Sequence, residues 1–304
     1  MSKIRAAQNI LKELGFRGFI YAIGNKLQGK PTLFGIIKEH NADTGQTKTI
    51  KLNTKSKTNK DYLETTPSVQ NVLDIFKGQW SCKVPIENTV SGPGDFFNND
   101  ERISNWNSIY PVKDKSILEL GPLEGAHTYQ LEQLGAASIT SIEASRTSYL
   151  KCLIVKDLLN MNVELLHGDF REYLKTCDKK YDIVLASGVL YHMTDPISLL
   201  QDIAKITDNL FLSTHYFSKK REDKSALFDP NPIILSGNYK GYKHYYVNTD
   251  DADLILGGTK NFSIWMEKDD ILSVLNNVGF NNIVLLSDNT KNPLGNIMAV
   301  YAGK

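Results

Sequence analysis

The sequence predicts an α/β fold, a mostly parallel sheet wound from strand–helix–strand units. Three observations carry this. Ser116–Ser145 reads as strand, glycine turn, helix and strand. The alternation recurs downstream, where short apolar runs at Val163–Leu166, Tyr181–Ser187 and Leu210–Thr214 are separated by stretches of helical periodicity. Two closely spaced strands, Asn282–Leu286 and Ile297–Ala302, end the chain and must pair antiparallel or lie near each other.

The first unit gathers chemistry at its strand tips. Ser116–Leu120 is an apolar strand with Glu119 near its end. Gly121 and Gly125 bracket a tight turn, Leu131 and Leu134 follow at helical spacing, and Glu143 stands at the tip of the second strand, Ile139–Ile142. Such units bind nucleotides beyond the carboxyl ends of their strands. Gly125, lacking a Cβ, lets the backbone approach a ligand closely. Glu143 can accept two hydrogen bonds from a ribose diol, each charge-assisted bond contributing about 1.5–3 kcal/mol. The turn, Gly121-Pro122-Leu123-Glu124-Gly125, is not the Gly-x-Gly-x-x-Gly that opens a helix onto a pyrophosphate, and its acid would repel phosphate. Glu119 suits a ligand with a cationic part, an ammonium or a sulfonium.

These residues resemble motif I of the class I S-adenosylmethionine-dependent methyltransferases: acid, apolar, Gly, three residues, Gly. Leu123 stands where that motif commonly has a middle glycine. The resemblance implies a Rossmann-like sheet of seven strands, the last one antiparallel, in residues 91–304, behind a small N-terminal extension, residues 1–90. It implies S-adenosylmethionine as cofactor, held by Glu119, Gly121, Pro122, Gly125, Glu143, Asp169, Phe170 and Ser187. At the place of Asp169 the family bonds the adenine amino group; capping the helix Arg171–Thr176 is the alternative role. The segment Gly188-Val189-Leu190-Tyr191-His192-Met193 is most similar to the group that builds carboxymethyl and methyl ethers on tRNA wobble uridine. Amino-group methyltransferases use an Asn/Asp-Pro-Pro-Tyr turn at this position. The chain has Ser187-Gly188-Val189-Leu190, which argues against amino methylation.

The remaining elements follow in order. Ile4–Leu14 has the pattern of a short amphipathic helix, and Phe16–Ile23 is apolar and aromatic. Lys38–Lys60 is polar and carries six lysines. A solvated loop or polar hairpin is preferred over a basic arm for RNA, because no aromatic residue interleaves to stack bases. Val69, Val72, Leu73 and Phe76 share helical spacing, and Ser91-Gly92-Pro93-Gly94 marks a turn near the domain boundary. Asp95–Trp106 fits the helix that the methyltransferases place before their first strand; its aromatics Phe96, Phe97 and Trp106 are read first as core. In the helix Arg146–Leu159, Leu150, Leu153, Ile154 and Leu158 share one face. Asp195 caps the helix after the fourth strand, with Pro196 at its first position. Residues 217–265 run about fifty residues before the next helix, a length that is usually functional. This insertion is read as covering the substrate, with Tyr242, His244 and Trp265 joining Tyr191 as substrate residues; a structural flap with a self-packed aromatic cluster is the alternative. Lys268–Val278 is the last helix, stopped by Gly279.

Bulk numbers exclude several classes. The chain has 304 residues, of which 41% are apolar, and a net charge of +1, so charge gives no general argument for nucleic acid or membrane. Three cysteines form no CxxC pair, which points to a reducing compartment and no zinc site. Lys12, Glu13 and Arg17 interrupt the N-terminal apolar residues, so a secretory leader is not expected and the location is read as cytoplasmic.

The functional expectation is a methyltransferase acting on a hydroxyl of a small-molecule or conjugated acceptor. His192 and His215, at the ends of the fourth and fifth strands, are the candidate bases, since an imidazole titrates near neutrality. His127, just after the glycine turn, is placed to touch the donor. One alternative is a tRNA wobble-uridine carboxymethyltransferase, which would need a cation beside its carboxylated donor. Another is a protein that binds the cofactor without catalysis.

Overall fold

The structure, a computed structural model, describes residues 62–98, 100–222, 225–246 and 260–304, together with the backbone of the strands at 18–23, 34–40 and 47–51. The chain divides into two compact units, residues 1–66 and 67–304. In the first, β1 (Gly18–Ile23), β2 (Phe34–His40) and β3 (Thr47–Lys51) form an antiparallel sheet in that order. Ile37 pairs with Ile50 and Lys38 with Thr49. The described part of the lysine-rich stretch is therefore hairpin strand. The helix expected at Ile4–Leu14 lies outside the described residues.

The second unit opens with α1 (Val69–Leu73), capped by Ser68, and α2 (Glu101–Ile109), capped by Asp100. The sheet then alternates with helices: β4 (Ser116–Leu120), α3 (Ala126–Gln133), β5 (Ser138–Glu143), α4 (Arg146–Leu158), β6 (Glu164–His167), α5 (Phe170–Thr176), β7 (Ile183–Ser187), α6 (Pro196–Ile206) and β8 (Asn209–His215). After α7 (Lys219–Glu222) come three short strands, β9 (Ile233–Ile234), β10 (Lys240–Tyr245) and β11 (Phe262–Met266). The unit closes with α8 (Lys268–Asn277), β12 (Asn282–Asn289) and β13 (Ile297–Gly303).

The main sheet has seven strands in the order β12-β13-β8-β7-β4-β5-β6. β13 runs antiparallel to both β12 and β8, while β4 to β8 pair in parallel. This is the expected architecture, last strand included. A short link between β12 and β13 permits only antiparallel pairing. β7 is buried on both faces, as a central parallel strand must be. Val184 and Ala186 face the core under α5, α6 and α8, while Ile183 and Leu185 face the core under α2, α3 and α4.

Three expectations need correction. The domain boundary lies at residue 66/67, not near residue 90. Leu73, Trp80, Cys82 and Val84 are buried in one cluster with Trp106, Leu131 and Val155, so residues 67–90 belong to the sheet-bearing unit. The inward face of α4 is Ser148, Lys151, Cys152 and Val155, leaving Leu150 and Leu153 exposed. A lysine takes the place of a leucine inside because it has a buried carboxylate partner, Glu124. The helix over residues 95–106 also starts later, at Glu101, because Asp100 accepts a hydrogen bond from Arg102 N and caps it there.

The inserted stretch is ordered as its own antiparallel sheet, β11-β10-β9, with Tyr242 opposite Trp265. Backbone bonds from Ile264 N to Met193 O (2.8 Å) and Phe217 N to Met266 O (2.8 Å) fasten it beside the ends of β7 and β8.

Trp106 ties α2 to the sheet. Its ring stacks on Phe211 at 5.4 Å and its Nε1 donates to Val300 O at 3.1 Å. Trp106→Ala should lower the unfolding free energy by about 3–5 kcal/mol, measured by urea denaturation. A loss below about 1 kcal/mol would contradict this placement.

Candidate functional site

The turn between β4 and α3 sets the site. Gly121, Leu123 and Gly125 all take left-handed backbone, with φ of 66°, 58° and 80°. At Gly121 a Cβ would lie 2.8 Å from Val189 Cγ1, so glycine is required on space as well as angle. At Gly125 the nearest atoms to a Cβ are 3.9 Å away on Thr128 and α4, so φ alone explains that glycine. Leu123 keeps the angle of the missing middle glycine at a strain cost of about 1–2 kcal/mol.

Glu143 fastens this turn to β5. Its Oε2 accepts from Leu123 N at 3.1 Å and its Oε1 from Ser145 N at 2.7 Å. Burial pushes its pKa up, against the pull of those amides. Beyond the turn, where strand order reverses between β4 and β7, lies a cavity of about 460 Å³. Ligands bind at such switch points, and this volume is that of a small-molecule site.

Of the eight expected cofactor residues, Gly121, Pro122, Glu143, Asp169, Phe170 and Ser187 line the cavity. Asp169 also caps α5, accepting from Arg171 N at 2.9 Å. The Arg171 side chain bonds the same carboxylate and holds its pKa down. The capping role is seen directly, and the same acid lines the cavity. Glu119 and Gly125 are not on the wall. The Glu119 side chain is buried under the turn, accepting from Ser141 Oγ at 2.7 Å and from Thr128 Oγ1. Burial raises its pKa. Its geometry supports the floor of the site instead of meeting a ligand's charge.

One constellation was missed. Arg102, the second residue of α2, lines the cavity and donates from Nη1 to Ser187 Oγ at 3.3 Å. Its Nε and Nη2 bond Asp100, and His127 Nε2 lies 2.8 Å from the same carboxylate. Burial would raise the Asp100 pKa, but hydrogen bonds from His127 and Arg102 hold it well below the usual carboxylate range. The available signal was Asp100-Glu101-Arg102, an N-cap followed two residues later by a cation. Phe96 also lines the cavity, whereas Phe97 and Trp106 are core.

Tyr191, His192 and Met193 also line the cavity. His192 Nδ1 lies 2.8 Å from Tyr246 Oη. Burial, then the neighbouring His215 and His244, lowers the His192 pKa to about 4. His215, Tyr242, His244 and Trp265 lie off the cavity wall. His215 Nδ1 donates to Asn296 O at 3.1 Å, and its ring meets Tyr191 edge-on at 4.7 Å. Trp265 is stacked between His215 (5.2 Å) and His244 (4.9 Å). Tyr242 stacks on Phe217 at 3.5 Å and donates to Glu267 at 2.8 Å. Of the four expected substrate residues, only Tyr191 reaches the cavity. The others back it, because the β9–β11 sheet packs its aromatics against one another.

Comparison with known proteins agrees with this geometry. Residues 118–209 match the family model described as a methyltransferase domain. A tRNA U34 carboxymethyltransferase of Nautilia profundicola is 29% identical over 102 residues, 32% of this chain and 33% of that protein. The Campylobacter fetus protein of that name is 25% identical over 128 residues, 40% of this chain and 44% of its own length. The chain thus matches less than half the length of these curated relatives. Among solved structures, the N-terminal domain of EvdMO1, crystallised in the presence of SAH and D-fucose, superposes with a TM-score of 0.60 at 23% identity, covering 78% of this chain and 95% of that one. That likeness speaks to the fold.

Residues 118–209 thus match a methyltransferase domain, and the sheet that holds them has the fold of the EvdMO1 N-terminal domain. A second structure of that EvdMO1 domain has SAH bound; in this chain Glu143, Asp169, Phe170 and Arg102 line the cavity. Among the described residues no cluster of three or more His, Cys, Asp or Glu is arranged to hold a metal. No helix among them is long and apolar enough to cross a membrane.

Two outcomes are expected. Glu143→Ala should weaken SAH binding at least about tenfold by calorimetry, since it removes both a cavity carboxylate and the turn's fastening; an unchanged affinity would refute a role for this carboxylate in the site. His192 and His244 are both held near 4 by burial, against about 6.5 when unfolded. Between those values the unfolded chain binds more protons, so stability rises with pH from about 4 to about 6.5 and the two imidazoles add nothing further above that. Urea unfolding across this range should show the slope, and His244→Gln should flatten it. A slope of equal size in the variant would contradict the buried neutral imidazole.

Proposed function

We propose that this protein transfers the methyl group of S-adenosylmethionine to a hydroxyl of a small or conjugated metabolite. The observation that carries the reading is His192, an imidazole on the wall of the cavity that Glu143 and Asp169 also line, its pKa lowered to about 4 by burial. In this reading Glu143 holds the ribose diol, Asp169 and Phe170 the adenine, and Arg102 the amino-acid carboxylate. The bound cofactor supplies an electrophilic methyl on a positively charged sulfur, whose departure as a neutral thioether needs no proton. The chain must hold the acceptor in line and keep water out, and orientation of this kind is worth about 7–11 kcal/mol. Tyr191 and Met193 wall the acceptor end. As the new C–O bond forms and the C–S bond breaks, positive charge passes to the acceptor oxygen and its proton becomes strongly acidic. A weak base is then sufficient. In this reading His192 donates Nδ1–H to Tyr246 Oη and takes that proton on Nε2.

The acceptor class draws on the fold neighbour. EvdMO1 was crystallised in the presence of D-fucose, so sugars belong first among the acceptors to be screened. A second reading is favoured by the relatives named tRNA U34 carboxymethyltransferase and by Arg102, the cation that a carboxylated donor requires. Asp100 already neutralises much of that guanidinium, which favours the plain methyl donor.

The test is transfer of labelled methyl from S-adenosylmethionine to a panel of hydroxylated metabolites, D-fucose included, and to unmodified tRNA. His192→Ala should reduce kcat about 10²-fold or more while leaving SAH affinity within about threefold. His215→Ala, behind Tyr191, should cost less than about tenfold. Full turnover by His192→Ala would exclude it as the base. Tighter binding of a carboxylated donor than of S-adenosylmethionine would favour the tRNA reading. Binding without turnover on any acceptor would favour a non-catalytic role.

A further inference from the structure

Lys151 and Glu124 form the least exposed ion pair among the described residues, with side-chain exposures of 1% and 0% and Nζ–Oε1 at 2.9 Å. Taking two charges out of water is costly, and such a pair is weak evidence of stabilisation by itself. Its other bonds show what it holds. Glu124 sits in the glycine turn, and its carboxylate accepts from Ser81 N at 2.8 Å and Cys82 N at 2.9 Å. Lys151, on α4, donates to Gln79 O. Three consecutive turns of chemistry converge on one segment, residues 79–82.

That segment is one run of a closed strap. Gly92 N donates to Cys82 O and Gly94 N to Ser81 O, both at 2.9 Å, and Val84 N donates to Ser91 Oγ at 2.8 Å. The two runs touch at Gly92, where a Cβ would meet Trp80 O and lie 2.6 Å from Cys82 N. The strap delivers Cys82 to the cavity wall, and Phe96, two residues past its end, lines the cavity as well. Burial and then Glu124 push the Cys82 thiol up to about 12, so it serves as neutral wall and not as a nucleophile. The strap lies outside residues 118–209, the stretch shared with the methyltransferase family model.

We propose that residues 79–94 are a wall of the donor pocket, and that Glu124 and Lys151 are positioning residues that set donor affinity by pinning this wall to the glycine turn. The inference rests on the donor reading of the cavity. It also accounts for an acid in a turn beside an anionic amino-acid tail, because Lys151 and two amides neutralise it. Coupling of this kind is reciprocal: if the pinned strap raises donor affinity, bound donor must protect the strap.

The test uses the full chain, with SAH as the probe. Calorimetry gives its affinity, and hydrogen exchange with mass spectrometry follows residues 79–94 with and without SAH. Single changes at Glu124 or Lys151 leave a buried charge unpaired and can unfold the protein, so two other variants carry the test. Glu124→Gln/Lys151→Met removes both charges together, and Gly92→Ala disturbs the strap from a position that does not line the cavity. Each should weaken SAH binding about tenfold, speed exchange in residues 79–94, and diminish the protection SAH confers there in the wild type. Wild-type affinity in either variant despite faster exchange in the strap would overturn the proposal. So would weakened binding with unchanged exchange. If the wild type itself binds no SAH, the donor reading falls and the affinity claim with it; wild-type binding that neither variant alters sinks the strap alone.

Discussion

The fold of the site depends on one carboxylate. Glu143 holds a left-handed turn against the tip of β5 through Leu123 N and Ser145 N. Without it, Leu123 would have little reason to remain at positive φ, since that conformation is unfavourable for a residue with a Cβ. The turn in turn fixes Gly121 against Val189, which begins the segment leading to Tyr191 and His192. Strain retained at such a place is consistent with a site over-determined by its surroundings.

The acids around the cavity are each handled differently. Glu119 is buried among hydroxyls, Glu124 is paired with Lys151, and Asp100 is shared by Arg102 and His127. Glu143 has only backbone donors and lines the cavity. In low-dielectric surroundings a carboxylate left to weak donors keeps the most capacity to interact with a ligand. Glu143 therefore leaves acceptor capacity on the cavity wall, and Arg102 adds a positive charge to the same lining. The surroundings of Tyr191 have a different character: they are aromatic, and burial lowers the pKa of His192, His215 and His244, with neighbouring imidazoles adding to this at His192 and His244.

The comparison of sequence and structure is informative where the two part. Local pattern placed every strand of the main sheet within a few residues, because apolar runs between glycine and polar turns reflect burial directly. It also identified Gly121, Glu143, Asp169 and Ser187 for the cavity, since these sit at strand ends where short-range geometry decides direction. It misassigned Glu119, whose position on β4 is right but whose side chain is enclosed by Thr128 and Ser141, two residues on other elements. It put the boundary near residue 90, beside the turn Ser91–Gly94, whereas Leu73, Trp80, Cys82 and Val84 before that turn complete the core.

What the chain determined by itself was the parallel sheet, the turn and the acid at the tip of β5, all consequences of periodicity and of glycine's backbone freedom. Only the tertiary structure decided which polar groups meet. Lys151 and Glu124 are 27 residues apart, His192 and Tyr246 are 54 apart, and Arg102 reaches Ser187 across 85. No local rule of spacing encodes such pairs. They exist because packing places buried charges and rings together, where each must find a partner once water is excluded.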